Sequence, residues 1–513
     1  MNNIKILDCT IRDGGYYTNW DFDQKIIETY LNDMNQLPID YLEVGYRSPK
    51  LTGYYGEYYY CPDYVLQKLA RLSTKKLVII LNEKDIKVEI VEELLKPCLG
   101  IITMVRIALD PQNLSRAIVL AEKVKSMGFE VGFNVMYMSK WKQQPEFLAT
   151  LKSVDGVADY FYMVDSYGGV YPSDVKEIYE LVRSQMTTKI GFHGHNNLEL
   201  GLINSLTAIE CGADIIDATV TGMGRGAGNL KTELLLTALN QRNGLALDFN
   251  ALSSVTDAFT QLQKQYEWGT NLPYMVSGAN SLPQKDVMEW VSKRYYSINS
   301  IIRALYHQKN KSQEENSFAT FTKNEQFDEV LLIGGGDSVQ LHQEAIIEFI
   351  KSRKNVCLIH SSSRNAGLFK DVSVKQYFCL VGNEGLRLEK VFSDLGDFDG
   401  ECILPPSPRK MGTYVPPMIA SKTKELAAIT FTDTLKDTHT TLALQTVIEL
   451  NVNNVFMVGY DGYEGKELNQ KEIELLNENE YLFEAFNKHN GKQMIALTST
   501  KYKNLQKETV YSY

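Results

Sequence analysis

No stretch of the chain approaches the roughly 18 consecutive apolar residues of a membrane-crossing helix. The opening residues, MNNIKILDCTIRDGG, carry no apolar run with a cleavage site, so no signal peptide is expected. Cysteine is sparse: Cys9, Cys61, Cys98, Cys211, Cys357, Cys379 and Cys402 are scattered, odd in number and include no CxxC pair. That excludes a disulfide framework and points to reduced thiols in a cytoplasmic protein. Positive charge is in deficit, 53 Lys and Arg against 63 Asp and Glu. The resulting net charge of −10 argues against a general nucleic-acid or membrane-surface binder, while leaving room for a local basic pocket. Histidine is equally scarce: of seven, only His193 and His195 lie in the first 300 residues. Nothing is unusual in the 44% hydrophobic and 23% charged content, which suits an ordinary globular protein. At 513 residues the chain is too long for one core, and two or three domains are expected.

What is present is rhythm. Short apolar, β-branched runs recur about every 25 to 37 residues, each followed by helical periodicity. The predicted strands are Ile4–Cys9, Tyr41–Tyr46, Leu77–Leu81, Met104–Leu109, Glu130–Val135, Tyr160–Val164, Lys189–Phe192 and Asp214–Thr219. Amphipathic segments such as Asp23–Asn35, Pro111–Met127, Pro172–Ser184 and Leu198–Cys211 lie between them. Two open with Pro, whose missing N–H costs nothing in a first turn, and two run into Gly, which suits a left-handed cap. Eight βα units in residues 1–245 predict a (β/α)₈ TIM barrel rather than an open doubly wound sheet. Residues 246–324 read as a helical extension and linker. Its helices are Ala251–Tyr266 and Lys285–Tyr306, around a loop at 268–283, and its polar end is His307–Lys323. A second α/β pattern fills 325–513, opening on DEVLLIGGGDSV and continuing through Asn355–His360, Tyr377–Val381, Asn454–Val458 and Met494–Leu497. The tyrosine cluster GYYGEYYY at 53–60 reads as a half-buried loop wall.

Active sites of a TIM barrel assemble at the carboxyl ends of its strands. There His193 and His195, in GFHGHNN, sit at alternate positions of an extended segment, so both rings reach one side and one ion. Asp13, in TIRDGG after strand one, adds a hard oxygen, and Asn229, in TGMGRGAGN after strand eight, offers a fourth ligand. The expected cofactor is a divalent ion, Mn²⁺ or Mg²⁺, with Co²⁺ or Zn²⁺ as alternatives. Arg12, beside Asp13, can neutralise an enolate oxygen, and Glu43, in LEVGYR, can orient its guanidinium. Ser166 and Asn134, with Arg12, are the candidate substrate contacts.

LDCTIRDGGYYTNWDF (7–22), VDSYGG (164–169) and GFHGHNNLELGLINSLTAIECGADIIDATVTGMGRGAGN (191–229) resemble the DRE-TIM metallolyase superfamily. Its members include hydroxymethylglutaryl-CoA lyase, isopropylmalate synthase and 4-hydroxy-2-oxovalerate aldolase. The resemblance covers about half of the chain and implies that Asp13, His193 and His195 hold the metal, with Asn229 on or next to it. It further implies that Arg12 stabilises the enolate and that Glu43 completes the signature. Members acting on acyl-CoA thioesters place Gln two residues after RDG, where this chain has Tyr16; the oxovalerate aldolases commonly have a catalytic His there. Tyrosine is a poorer base at neutral pH, so Tyr16, Tyr17 and a metal-bound water all stay open as the acid–base group. WGTNLPYMVSGAN (268–280) is similar to the extension of the oxovalerate-type aldolases and tilts the reading towards them.

The expected activity is thus a class II-type aldolase joining or parting pyruvate, or a related 2-oxo acid, and an aldehyde. The rivals are an acyl-CoA Claisen-type enzyme and a non-catalytic metal-binding barrel serving the C-terminal domain. The second domain resembles the nucleotide-binding α/β domains of hydroxymethylpterin-diphosphokinase-like proteins and of some sialyltransferases. Gly334, Gly335, Gly336, Asp337 and Asp461 are accordingly its candidate site, for a nucleotide or nucleotide-sugar, although a tight βα turn would also need such glycines. A homodimer is the expected assembly.

Overall fold

The computed structural model describes residues 4–293, 296–312, 317–393, 395–396, 398–409, 411–463, 468 and 470–513. The eight predicted N-terminal strands form as β1 (Lys5–Asp8), β2 (Tyr41–Tyr46), β3 (Lys76–Asn82), β4 (Ile102–Leu109), β5 (Glu130–Val135), β6 (Tyr160–Asp165), β7 (Lys189–Gly194) and β8 (Ile215–Ala218). All are parallel, each pairs with the next, and β8 returns to β1 to close the barrel. Alternation along the strands sorts side chains to two sides. Leu7, Tyr41, Val78, Met104, Tyr162 and Ile215 meet in a small interior cluster, while the larger apolar core lies between strands and helices. The helix Gln24–Gln36 shows how the outer layer forms: Asp23 caps Lys25 N and Ile26 N, and Ile27, Tyr30, Leu31 and Met34 at helical spacing are buried.

Small residues make room for the large interior ones. A Cβ on Gly191 would stand 2.4 Å from the Tyr162 ring, which in turn lies beneath the Arg106 guanidinium at 3.9 Å. Overpacking of a closed interior costs about 1–3 kcal/mol. Gly191→Ala is therefore expected to lower the denaturant midpoint by that amount without changing the slope. An unchanged midpoint would mean that the ring has space to move.

The chain divides into two compact units, Met1–Met288 and Glu289–Tyr513, so residues 246–288 belong with the barrel. The reason is local. In the helix Phe249–Tyr266, Phe259 lies edge-on to Tyr30 at 5.8 Å. Trp268 donates to the Thr221 carbonyl (3.2 Å) and Asn197 to the Tyr274 carbonyl (2.9 Å). Within the predicted loop 268–283 a helix forms at Leu272–Ala279, capped by Asn271. The single helix predicted at Lys285–Tyr306 is two, Gln284–Lys293 and Ile298–Asn310, the second restarted by the Ser297 cap. Of the polar segment read as a linker, 307–310 are helical and 313–316 lie outside the described residues.

The second unit is a nine-stranded parallel sheet with helices. Its strands are β9 (Ala319–Thr320), β10 (Glu329–Ile333), β11 (Val356–His360), β12 (Gln376–Cys379), β13 (Glu401–Leu404), β14 (Thr423–Glu425), β15 (Asn454–Val458), β16 (Met494–Ala496) and β17 (Gln506–Lys507). They stand in the order β17-β16-β15-β10-β11-β12-β13-β14-β9. The chain leaves β10 towards β11 and returns on its other side at β15, so the order reverses there, as in Rossmann-like sheets. No described helix is long and apolar enough to cross a membrane.

Candidate metal centre and active site

TIRDGG was expected after strand one, and it forms a helical segment, Thr10–Thr18, rather than a loop. Asp8, buried at the end of β1, orders this turn. It accepts from Thr10 N (2.9 Å), Thr10 Oγ1 (2.5 Å), Tyr30 Oη (2.7 Å) and Thr232 Oγ1 (2.5 Å). Gly15 is required because a Cβ would lie 2.1 Å from the Trp20 ring, whose Nε1 donates to the Arg12 carbonyl (2.9 Å). Arg12 and Asp13 are thereby held, buried, over the barrel mouth.

Asp13 and His193 come close enough to share one ion, with Asn229 hydrogen-bonded to Asp13 and the His195 ring beside that of His193. Asp13 Oδ2 lies 3.7 Å from His193 Nε2 and accepts from Asn229 Nδ2 at 2.7 Å. The two imidazole rings stand 5.0 Å apart, centre to centre. His195 Nδ1 faces the Asp165 carbonyl at 2.7 Å; a carbonyl only accepts, so Nδ1 carries the proton and Nε2 keeps its lone pair. His193 Nδ1 faces Asp217 Oδ2 at 2.8 Å with the same consequence. Burial raises the Asp217 carboxyl, but Arg106 and His193 outweigh it and hold the group ionised. Burial, reinforced by the His193 ring, pushes His195 down to about 3, so that ring is neutral. The buried Asn229 Oδ1 has no hydrogen-bond partner among the described residues. Two lone pairs, one carboxylate and one orphaned amide oxygen fit a divalent ion, each imidazole oriented from behind as metal-bound histidines usually are.

Asp217→Asn removes the acceptor behind His193. Metal affinity is expected to fall about 10- to 100-fold, read by Mn²⁺ titration followed by electron paramagnetic resonance. Unchanged affinity would show that another group orients the ring.

Arg12 donates through Nε to Glu43 Oε2 (2.6 Å) and through Nη1 to Asp13. Glu43 also pairs with Arg106 (3.3 Å), a fully buried arginine that donates to Asp217 Oδ2 (2.5 Å) and to Asn134 Oδ1 (2.6 Å). Asn134, expected at the substrate, thus has its oxygen committed to Arg106. Ser166 Oγ accepts from Tyr137 N (2.8 Å), leaving its own hydrogen to donate. Tyr16 is at the rim, partly exposed, its ring 5.1 Å from Trp20. Behind it stands Tyr46, buried and stacked on Tyr59 (4.8 Å) from the tyrosine cluster, where Tyr58 and Tyr59 are buried and Tyr54 is exposed. Burial and the Tyr16 phenol push the Tyr46 hydroxyl well up. Tyr17 donates to the Gly226 carbonyl (3.2 Å) in the loop after β8.

Sequence reading missed Arg106, Asp217, Tyr46 and Arg225. A signal existed for the first two: a lone charge in a strand that is otherwise uncharged. Cys9 was missed too; its buried thiol is 3.8 Å from Asp13 Oδ2 and groups with Asp13 and His193. Burial, with the Asp13 charge, keeps that thiol protonated, so it is a donor in this arrangement.

In the second unit the glycines of GGGDS serve packing. A Cβ on Gly334 would meet the Gly459 carbonyl at 2.4 Å, and one on Gly336 the Asp461 carboxylate at 2.5 Å. Gly335 faces Ser362 and Arg364 with space to spare. Asp461 accepts from Ser338 N (3.0 Å) and Ser338 Oγ (2.5 Å), so the turn is closed by the chain's own carboxylate. Asp337 is exposed and pairs with Arg364 at 2.8 Å.

The family model described as HMGL-like matches residues 101–260. A 4-hydroxy-2-oxovalerate aldolase of a Roseiflexus species is 32% identical over 258 residues, 47% of this chain and 71% of that protein. An oxaloacetate decarboxylase of Mycobacterium tuberculosis is 28% identical over 320 residues, 58% of this chain and 89% of that protein. The crystal structure of the N-terminal domain of an aldolase candidate from Bacteroides vulgatus is 60% identical, covering 59% of this chain and all of that domain with a TM-score of 0.56. With the strand-end motifs and the closed barrel, these likenesses establish that the chain belongs to the HMGL-like family of aldolases and lyases, among the DRE-TIM metallolyases.

Proposed function

We propose that the barrel cleaves or forms the carbon–carbon bond between pyruvate, or a related 2-oxo acid, and an aldehyde, with a divalent ion held by Asp13, His193, His195 and Asn229. The observation that supports this reading is Asp13 placed 3.7 Å from His193 Nε2, with the His195 ring 5.0 Å from that of His193 and Asn229 on Asp13, all beside the Arg12 guanidinium. Mn²⁺ or Mg²⁺ suits the oxygen half of that set, Co²⁺ or Zn²⁺ the imidazole half. Bound there, the ion supplies Lewis acidity toward the carbonyl and carboxylate oxygens of the 2-oxo acid.

The chain supplies the rest. Arg12 has two nitrogens on Glu43 and Asp13, and Nη2 remains to donate to the oxygen on which enolate charge develops. Glu43, itself held by Arg106, fixes the plane of that guanidinium. In cleavage, the bond between the third and fourth carbons breaks, its electron pair delocalises onto the carbonyl oxygen, and the hydroxyl proton on the fourth carbon must leave. Tyr16 stands at the rim for that proton; a hydroxyl accepts it on oxygen while passing its own onward. Ser166 donates to the substrate carboxylate.

The relatives' names give a second reading. Decarboxylation of oxaloacetate also leaves the enolate of pyruvate, and the relative so named is matched over the longer stretch. Pyruvate release by the full-length protein with Mn²⁺, coupled to lactate dehydrogenase, separates the two. Release from 4-hydroxy-2-oxo acids above that from oxaloacetate, abolished by chelator, is expected. Release from oxaloacetate alone assigns the decarboxylase, and release from neither sinks both readings in favour of acyl-CoA chemistry or a scaffold. For the second unit, a nucleotide or nucleotide-sugar at the carboxyl ends beside β10 is supported by the reversal of strand order there. Calorimetry of the full chain showing no heat with nucleoside di- and triphosphates or sugar nucleotides would overturn it.

A further inference from the structure

Two cations at the barrel mouth have no carboxylate partner among the described residues. Arg225 lies in the loop after β8, its guanidinium 5.7 Å from the centre of the Tyr16 ring. Lys140 donates to Tyr167 Oη (2.8 Å), with its ammonium 4.7 Å from the Tyr167 ring and 5.8 Å from that of Tyr137. The two tyrosine rings are 5.3 Å apart.

Both cations are presented by fixed backbone. The Arg225 loop is clamped at the Gly226 carbonyl by Tyr17 Oη (3.2 Å) and Gly269 N (3.4 Å). At Gly226, where φ is +66°, a Cβ would meet Gln284 Oε1 at 2.1 Å. Tyr137 is held at φ 63° with its N–H on Ser166, a conformation that a bulky residue adopts only when its surroundings impose it. A chain of net charge −10 that fixes two unpaired cations and an aromatic wall beside its metal candidates is built to receive negative charge.

We infer that the aldehyde partner is anionic, its phosphate or carboxylate held by Arg225 and Lys140 while the carbonyl faces Tyr16. This rests on the aldolase reading of the same site. Arg12 and the metal ligands already answer the charge of the 2-oxo acid, which leaves the outer pair of cations to the acceptor.

The test uses the full-length protein with Mn²⁺ and pyruvate and matched acceptors. Glyceraldehyde 3-phosphate is compared with glyceraldehyde, and succinic semialdehyde with butanal; the pairs separate phosphate from carboxylate. The charged member is expected to show about a 10- to 100-fold higher kcat/KM, carried by KM, the scale of one or two charge-assisted hydrogen bonds. Arg225→Gln and Lys140→Met should each draw that ratio toward one. A protein that exchanges the methyl protons of pyruvate yet treats both members of each pair alike overturns the acceptor assignment and leaves the aldolase reading standing. So does a preference that survives both substitutions. No exchange in the unmodified protein overturns the aldolase reading and the assignment with it.

Discussion

Asp13→Asn is expected to abolish tight Mn²⁺ binding and to reduce metal-dependent exchange of the pyruvate methyl protons by about a thousandfold or more. The carboxylate is the one negative charge among the four metal candidates and lies 3.7 Å from His193 Nε2. Burial alone would raise it, but Arg12, the two imidazoles and the Asn229 amide outweigh burial and keep it ionised. An asparagine has the same shape and no charge. The loss of several kcal/mol of transition-state charge stabilisation corresponds to that rate factor, at about 1.4 kcal/mol per tenfold. Circular dichroism and the melting curve, recorded beside the metal titration, separate this outcome from unfolding. If Asp13→Asn binds Mn²⁺ as the unmodified protein does, the ion sits elsewhere and the site as described is wrong.

The second large effect is on stability. Arg106 is fully buried between Glu43 and Asp217, stacked on Tyr162 and donating to Asn134. Arg106→Met fills most of the volume but takes from Glu43 and Asp217 a shared buried cation, leaving Glu43 to Arg12 and Asp217 to His193. Breaking a buried ion network by removing one partner costs about 3–5 kcal/mol, because the remaining charges are left undercompensated. At roughly 2–4 °C per kcal/mol for a unit of this size, the barrel transition should fall by about 6–20 °C. The same principle says that ion networks are seldom more stabilising than apolar replacements. Adding Glu43→Gln and Asp217→Asn should therefore recover much of the loss while leaving activity absent. A melting curve for Arg106→Met that matches the unmodified protein would show that water, not the arginine, compensates these carboxylates.

The barrel was legible because its signal is repeated. Eight β-branched runs, each followed by a helical period, override any single ambiguous boundary, and all eight are present in order. The placement of His193, His195, Asp13 and Asn229 at the strand ends was legible because each follows a predicted strand, on the side where this fold gathers its chemistry. The supporting network was not. Asp217 in IIDA and Arg106 in ITMVRIAL are single charges in apolar strands, and only the register of a closed barrel places them opposite each other. The GGGDS turn reads in sequence as a candidate nucleotide site or a tight βα turn, whereas Gly334 and Gly336 answer to close neighbours supplied more than a hundred residues later, Gly459 and Asp461. Likewise, Asn134 looks available in sequence; an arginine on the neighbouring strand takes its oxygen. Long-range packing of this kind leaves no local trace.

Proton NMR of pyruvate in D₂O tests the central claim most directly, because exchange of the methyl protons needs only enolate formation and no knowledge of the aldehyde. With the full-length protein and Mn²⁺ or Mg²⁺, the methyl signal is predicted to decay, to stop decaying with chelator, and to persist with Asp13→Asn. A methyl signal that stays constant with the unmodified protein and each of Mn²⁺, Mg²⁺ and Co²⁺, for pyruvate and 2-oxobutyrate alike, would contradict 2-oxo acid enolisation at this site.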